Sequence, residues 1–229
     1  MISESKFQAN LKSIQIQIAE ACRVSGRNPN DVTLLPVTKN WPAGVVDYCK
    51  KAKLVRVGEN RVQEALEKKN EISEVCWELI GHLQTNKTKQ VIGEFSRIQT
   101  VDSQKLLKKI NDISLQKNLK TSILLQVNAG SDPAKYGCSI EGADALLDFA
   151  LSQQNIVVDG LMTIAPYAPE DLDIAKTTFE KLRTLRDHLC QKLDVELKVL
   201  SMGMSMDMEE AIAAGSTMVR VGSALFGSR

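Results

Sequence analysis

The stretch VTLLPVTKNWPAGVVDYCKKAKLVRVG, residues 32–58, carries the pattern that decides the fold. It opens on an apolar, β-branched run, Val32–Thr38, that reads as a buried strand, and it closes on a second such run, Leu54–Gly58. Between them Pro42–Lys53 has helical period, and Pro42 suits a first helical turn because its missing N–H is not needed there. A strand, a helix and a strand in such a short span make one crossover unit, which joins parallel strands with a right-handed turn.

The same rhythm continues toward the C-terminus. Further strand runs lie at Val75–Ile80, Arg97–Val101, Thr121–Asn128, Ile156–Ile164, Leu197–Met202 and Met218–Val221. Helix-period segments separate them near Arg61–Ile72, Lys87–Gly93, Ser103–Leu119, Glu141–Gln153, Glu170–Leu193 and Met206–Ala214. In the longest, Ile174, Phe179, Leu182, Leu185, Leu189 and Leu193 share one side, so one face packs inward. Ahead of the first strand, Ser3–Ser25 carries Phe7, Leu11, Ile14, Ile18 and Cys22 at three- and four-residue steps, an additional amphipathic helix. Proline and glycine fall at strand–helix junctions and do not cluster into a linker, so the sequence predicts one domain over residues 1–229. The predicted class is α/β: a single TIM-type (β/α)8 barrel with an extra N-terminal helix packed outside, an open doubly wound sheet being the alternative.

Composition narrows the function. Hydrophobic residues at 43% and charged residues at 25% suit a folded globular chain. The net charge of +1 comes from interspersed residues, so no field draws in nucleic acid or anionic membrane. Lys6, Lys12, Glu20 and Arg23 interrupt the first helix, which therefore reads as neither signal peptide nor membrane span; the cytoplasm is the expected location. The cysteines, Cys22, Cys49, Cys76, Cys138 and Cys190, stand far apart without a CxxC pair, which argues against disulfides or a zinc site. The methionines around Met202–Met208 read as flexible packing, and no metal is expected.

A barrel builds its site from the carboxyl ends of its strands. There the sequence sets Lys39, Asn60, His82, Ser201 with Met202 and Gly203, and Arg220 with Gly222 and Ser223. A neutral amine is a nucleophile, and a lysine delivered into the barrel mouth suits imine formation with an aldehyde cofactor. The last two strand ends often cradle phosphate through backbone N–H groups, with small residues permitting close approach; Ser201, Gly222 and Ser223 fit that role. Arg220 suits either a phosphate or a donor to a pyridine nitrogen, and the latter weakens an aromatic cofactor as an electron sink. Asn60 serves equally as a helix cap or a cofactor contact. His82 reads as a rim contact, since no serine or cysteine nucleophile accompanies it, and no residue is assigned a catalytic role.

Taken together, Leu34–Lys39, Gly58–Glu64, Trp77–Lys87, Gln126–Gly137, Gly160–Pro166, Leu200–Asp207 and Gly215–Gly227 resemble the pyridoxal phosphate homeostasis proteins, relatives of the alanine racemase barrel domain. Ser-Met-Gly-Met-Ser at 201–205 with Gly-Ser-Thr-x-Val-Arg-x-Gly at 215–222 is the specific part of the likeness. The resemblance implies pyridoxal 5′-phosphate (PLP) held on Lys39 as an imine, phosphate near Ser201, Gly222 and Ser223, Arg220 against the cofactor and Asn60 near its ring; from their places at the strand ends, His82, Met202 and Gly203 are the expected rim contacts. Where relatives often carry a histidine this chain has Glu78, and Cys138 stands where an aromatic residue is common. The implied role is PLP buffering in vitamin B6 and amino-acid or keto-acid homeostasis without a dedicated reaction, with PLP-dependent apoenzymes as recipients and a monomer as the expected state. The alternatives are a PLP enzyme such as a weak racemase, for which the expected lack of a second β domain is unfavourable, and a barrel binding another phosphorylated metabolite.

Overall fold

A computed structural model describes residues 2–227; Met1, Ser228 and Arg229, included in the predicted domain span, lie outside the described residues. All eight predicted strands form: β1 (Thr33–Pro36), β2 (Arg56–Glu59), β3 (Cys76–Leu79), β4 (Arg97–Val101), β5 (Thr121–Gln126), β6 (Ile156–Met162), β7 (Val199–Ser201) and β8 (Met218–Val221). They pair in parallel in the order β1-β8-β7-β6-β5-β4-β3-β2. A parallel bridge between Val37 and Gly58 brings β1 back to β2, so the sheet curls into a nearly closed barrel, not an open doubly wound sheet. Several strands end earlier than their apolar runs because the upper residues turn into the loops that form the mouth.

The helices are α1 (Glu4–Val24), α2 (Gly44–Lys51), α3 (Val62–Glu71), α4 (Thr88–Val91), α5 (Gln104–Gln116), α6 (Ala143–Leu151), α7 (Leu172–Leu193), α8 (Met208–Ala213) and α9 (Ser223–Phe226). The apolar stripe of α1 is buried as its spacing predicts, and Phe7 stacks on Phe226 of α9 with ring centroids 5.8 Å apart. The main core lies between the sheet and the surrounding helices. No described helix is long and apolar enough to cross a membrane.

Strand periodicity sorts the residues inside the barrel. Leu35, Val37, Ile80 and Met218 form a small apolar cluster apart from the main core, while neighbours such as Trp77, Leu79, Val219 and Val221 pack outward against helices. Glu78, Gln99, Ser201 and Arg220, at alternate strand positions, are buried polar residues. Barrel interiors are usually filled by branched apolar side chains. Here hydrogen-bonded polar groups occupy a layer of that interior.

Candidate functional site

Period two carries the inward face of three neighbouring strands up to one level. Above Leu35 and Val37 on β1 stands Lys39; above Gly58 on β2 stands Asn60; above Met218 and Arg220 on β8 stands Gly222. The register fixes their heights, because Leu35 pairs with Arg220 and Val37 bridges Gly58. Lys39, Asn60, Arg220, Gly222 and Ser223 consequently border one cavity of about 460 Å³. Val37, Ile80, Ile164, Ala165 and Pro166 give it an apolar side, while Ser205, Asp207, Lys135 and Tyr167 complete a more polar rim. The volume falls in the range of about 300–1,000 Å³ usual for small-molecule sites.

The cations on this wall differ. Lys39 is exposed at the mouth, and among the described residues its ammonium has no hydrogen-bond or ion-pair partner. Its backbone is held from behind: the Lys68 ammonium of α3 donates to the Thr38 carbonyl at 2.7 Å, and the Asn40 N–H donates to the Glu64 carboxylate. Lys68 also pairs with Glu59 at 2.6 Å and Glu64 at 2.8 Å. Burial pushes the Glu59 carboxyl above its ordinary value, against the opposing bonds from Lys68 and Thr38.

Arg220 is only 4% exposed. It donates to Ser201 Oγ at 2.8 Å and to the Thr163 carbonyl at 2.9 Å, yet no carboxylate lies within ion-pair distance among the described residues. Burial lowers its pKa to about 10, with the charge of Asp207 opposing, so it is fully cationic at neutral pH. A buried cation without an ion-pair partner is costly unless something else meets it. The cavity on which it opens is where an acceptor would go.

The remaining sequence-predicted residues lie elsewhere. Ser201 and Met202 are buried outside the cavity lining, and the Ser201 hydroxyl bonds to Gln99 and Arg220. Gly203 has φ +93° and turns the chain tightly against Ala211, where an added Cβ would sit 2.4 Å from the Ala211 Cβ. His82 is exposed and stacks on Tyr136 with centroids 3.9 Å apart, away from the cavity lining. Lys135, Tyr167 and Asp207 border the cavity without having been singled out in the sequence. Lys135 and Tyr167 sit in long loops with no periodicity to mark them, whereas Asp207 reads as an ordinary helix-start acid.

Residues 7–229 match the family described as alanine racemase, N-terminal domain. A relative from Aquifex aeolicus named pyridoxal phosphate homeostasis protein is 38% identical over 221 residues, covering 96% of each chain. The chain belongs to the pyridoxal phosphate homeostasis protein family. Two solved structures share its barrel. PipY of Synechococcus elongatus with PLP bound is 33% identical, with a TM-score of 0.80 over 92% of this chain and all of that one. A protein from Bifidobacterium adolescentis is 31% identical, with a TM-score of 0.90, and covers 99% of this chain and 98% of its own.

Proposed function

We propose that this chain is a cytoplasmic, single-domain PLP-binding protein that holds the cofactor as a Schiff base on Lys39 and buffers it within vitamin B6 and amino-acid or keto-acid homeostasis, without a dedicated reaction. The observation that carries this reading is the pairing, on one cavity wall, of a lysine amine and a buried guanidinium, neither of which has a carboxylate partner among the described residues. PLP supplies an aldehyde that condenses with an amine, a phosphate, and a pyridine ring. The donor set suits all three: Lys39 for the aldehyde, Gly222, Ser223 and Ser205 for the phosphate end, and the apolar side with Asn60 for the ring. The name of the Aquifex relative and the PLP in PipY support the same cofactor.

Arg220 then faces the cofactor, either at the ring nitrogen or at the phosphate. Against the ring nitrogen, a guanidinium donor keeps that nitrogen unprotonated and disfavours carbanion chemistry, in keeping with a carrier. PLP-dependent apoenzymes are the proposed recipients, and the carrier works as a monomer.

Borohydride reduction of the PLP-treated protein followed by peptide mass mapping is the test. The expected result is a PLP adduct on the peptide bearing Lys39, and a visible band that disappears in Lys39→Ala. An unmodified Lys39 peptide in protein treated with excess PLP would sink the proposal. Steady alanine racemisation surviving stringent purification would instead favour a weak racemase.

A further inference from the structure

The polar layer inside the barrel does more than fill space. Glu78 Oε2 accepts from Gln99 Nε2 at 2.6 Å, Gln99 Oε1 accepts from Ser201 Oγ at 2.6 Å, and Ser201 Oγ accepts from Arg220 Nη1 at 2.8 Å. The other Glu78 oxygen is held by Arg56 at 3.0 Å and Arg97 at 3.4 Å, and Arg97 is anchored on Asp159 at 2.7 Å. Glu78, Gln99 and Ser201 are fully buried, out of reach of bulk solvent.

The chemistry at the two ends gives the chain a direction. A guanidinium only donates and an ionised carboxylate only accepts, whereas an amide and a hydroxyl do either. Glu78 therefore fixes the Gln99 amide with its NH2 toward the carboxylate and its oxygen toward Ser201. That in turn draws the Ser201 proton toward Gln99 and leaves an oxygen lone pair for Arg220. With an amide at position 78 both groups become free to reverse, and a reversed Ser201 aims its proton at the guanidinium. Bonds donated in series also polarise one another, so the negative charge of Glu78 is felt at Arg220 without a direct ion pair.

We propose that Glu78 is a positioning residue for Arg220, acting through Gln99 and Ser201 to hold the guanidinium in the orientation that meets the cofactor. The inference rests on the reading that Arg220 faces bound PLP. Glu78 touches neither the cavity nor its ligand; its effect is on which way a neighbour's donors point.

A double-mutant cycle on the full PLP-loaded chain tests it, with retention read by equilibrium dialysis and the visible band by absorbance. Glu78→Gln and Ser201→Ala each weaken retention on the order of 10-fold and shift the band, because each releases a charged group from its fixed partner. The double variant is no weaker than Ser201→Ala alone, since Glu78 acts only through that hydroxyl. Gln99→Met, which cuts the relay while leaving Glu78 with both arginines, behaves as Glu78→Gln does and serves in its place should that variant fold poorly. Losses that multiply to about 100-fold in the double variant overturn the inference. So does wild-type retention with an unshifted band in Gln99→Met. If the unaltered protein takes up no PLP on Lys39, the functional reading fails first and the inference with it; loading at Lys39 with multiplying losses overturns the inference alone.

Discussion

A methyl group at residue 81 would collide with the site. The Cβ of an alanine there would lie 2.0 Å from the Asn60 carbonyl oxygen, and the next nearest atoms are also Asn60 backbone, so no side chain can swing away to make room. Gly81 thus lets the end of β3 lie against the loop that presents Asn60 to the cavity. Gly81→Ala is expected to cost about 1–3 kcal/mol of stability or more, the range for overpacking, and to weaken PLP retention by moving Asn60. Urea unfolding and dialysis measure the two effects, and a variant with wild-type values in both would refute the account. Arg220 presents the opposite case, where the side chain and not its absence matters. Its charge lies buried without a carboxylate partner among the described residues, so Arg220→Gln should loosen retention while leaving the unloaded fold intact. Unchanged retention in dialysis contradicts this.

The clamp between α3 and the end of β1 is the element that presents Lys39. Lys68 reaches from α3 to the Thr38 carbonyl and to Glu59, whose carboxylate is fully buried and whose Oε2 has no partner among the described residues. Lys68→Met would leave that carboxylate without its cation, a loss expected to cost about 3–5 kcal/mol. Comparing Lys68→Met with Glu59→Gln/Lys68→Met in denaturant separates the cost of the stranded charge from that of lost packing: the double variant should recover part of the stability. The links of Lys68 to Thr38 and Glu59 were not legible in the sequence, because they join separate elements and leave no local pattern. Elements of regular period were far more legible. All eight strands and the seven helices that follow strands one to seven lie within a few residues of their predicted places, because apolar spacing records which face meets the core. The short α9 escaped, since one turn leaves no period to read, yet Phe226 in it closes the contact with α1. At the site, strand-end position pointed to Lys39, Asn60, Arg220, Gly222 and Ser223, which the barrel gathers around one cavity. The interior links of Ser201 to Gln99 and of Gln99 to Glu78 were hidden because partners far apart in sequence share no local pattern.

Across the whole barrel, the join between β1 and β2 is among the thinnest, held like that of β7 with β8 by a single paired position. Strand β1 pairs with β8 along four positions, whereas it meets β2 through the bridge of Val37 with Gly58 and the 3.1 Å bond from the Thr38 N–H to the Gly58 carbonyl. The cavity lies across that join, with Lys39 at the end of β1, Asn60 beyond β2, and Arg220 and Gly222 at β8. A ligand gripped by all of them would tie three staves together across one of the barrel's thin joins. Binding only to the folded state adds RT ln(1 + [L]/Kd), which is about 2.7 kcal/mol at a hundredfold excess over Kd. For a chain of this size each kcal/mol moves the midpoint by about 2–4 °C, so saturating PLP should raise Tm by roughly 5–10 °C. The same binding should slow hydrogen exchange at the Thr38 amide more than at amides of β5 and β6, which are already paired along six positions. Lys39→Ala should lose most of both effects, since it removes the amine proposed to hold PLP covalently beyond β1 while leaving the cavity wall in place. A Tm that does not move in wild-type protein at saturating PLP would mean that the ligand does not join these strands, whatever else it touches.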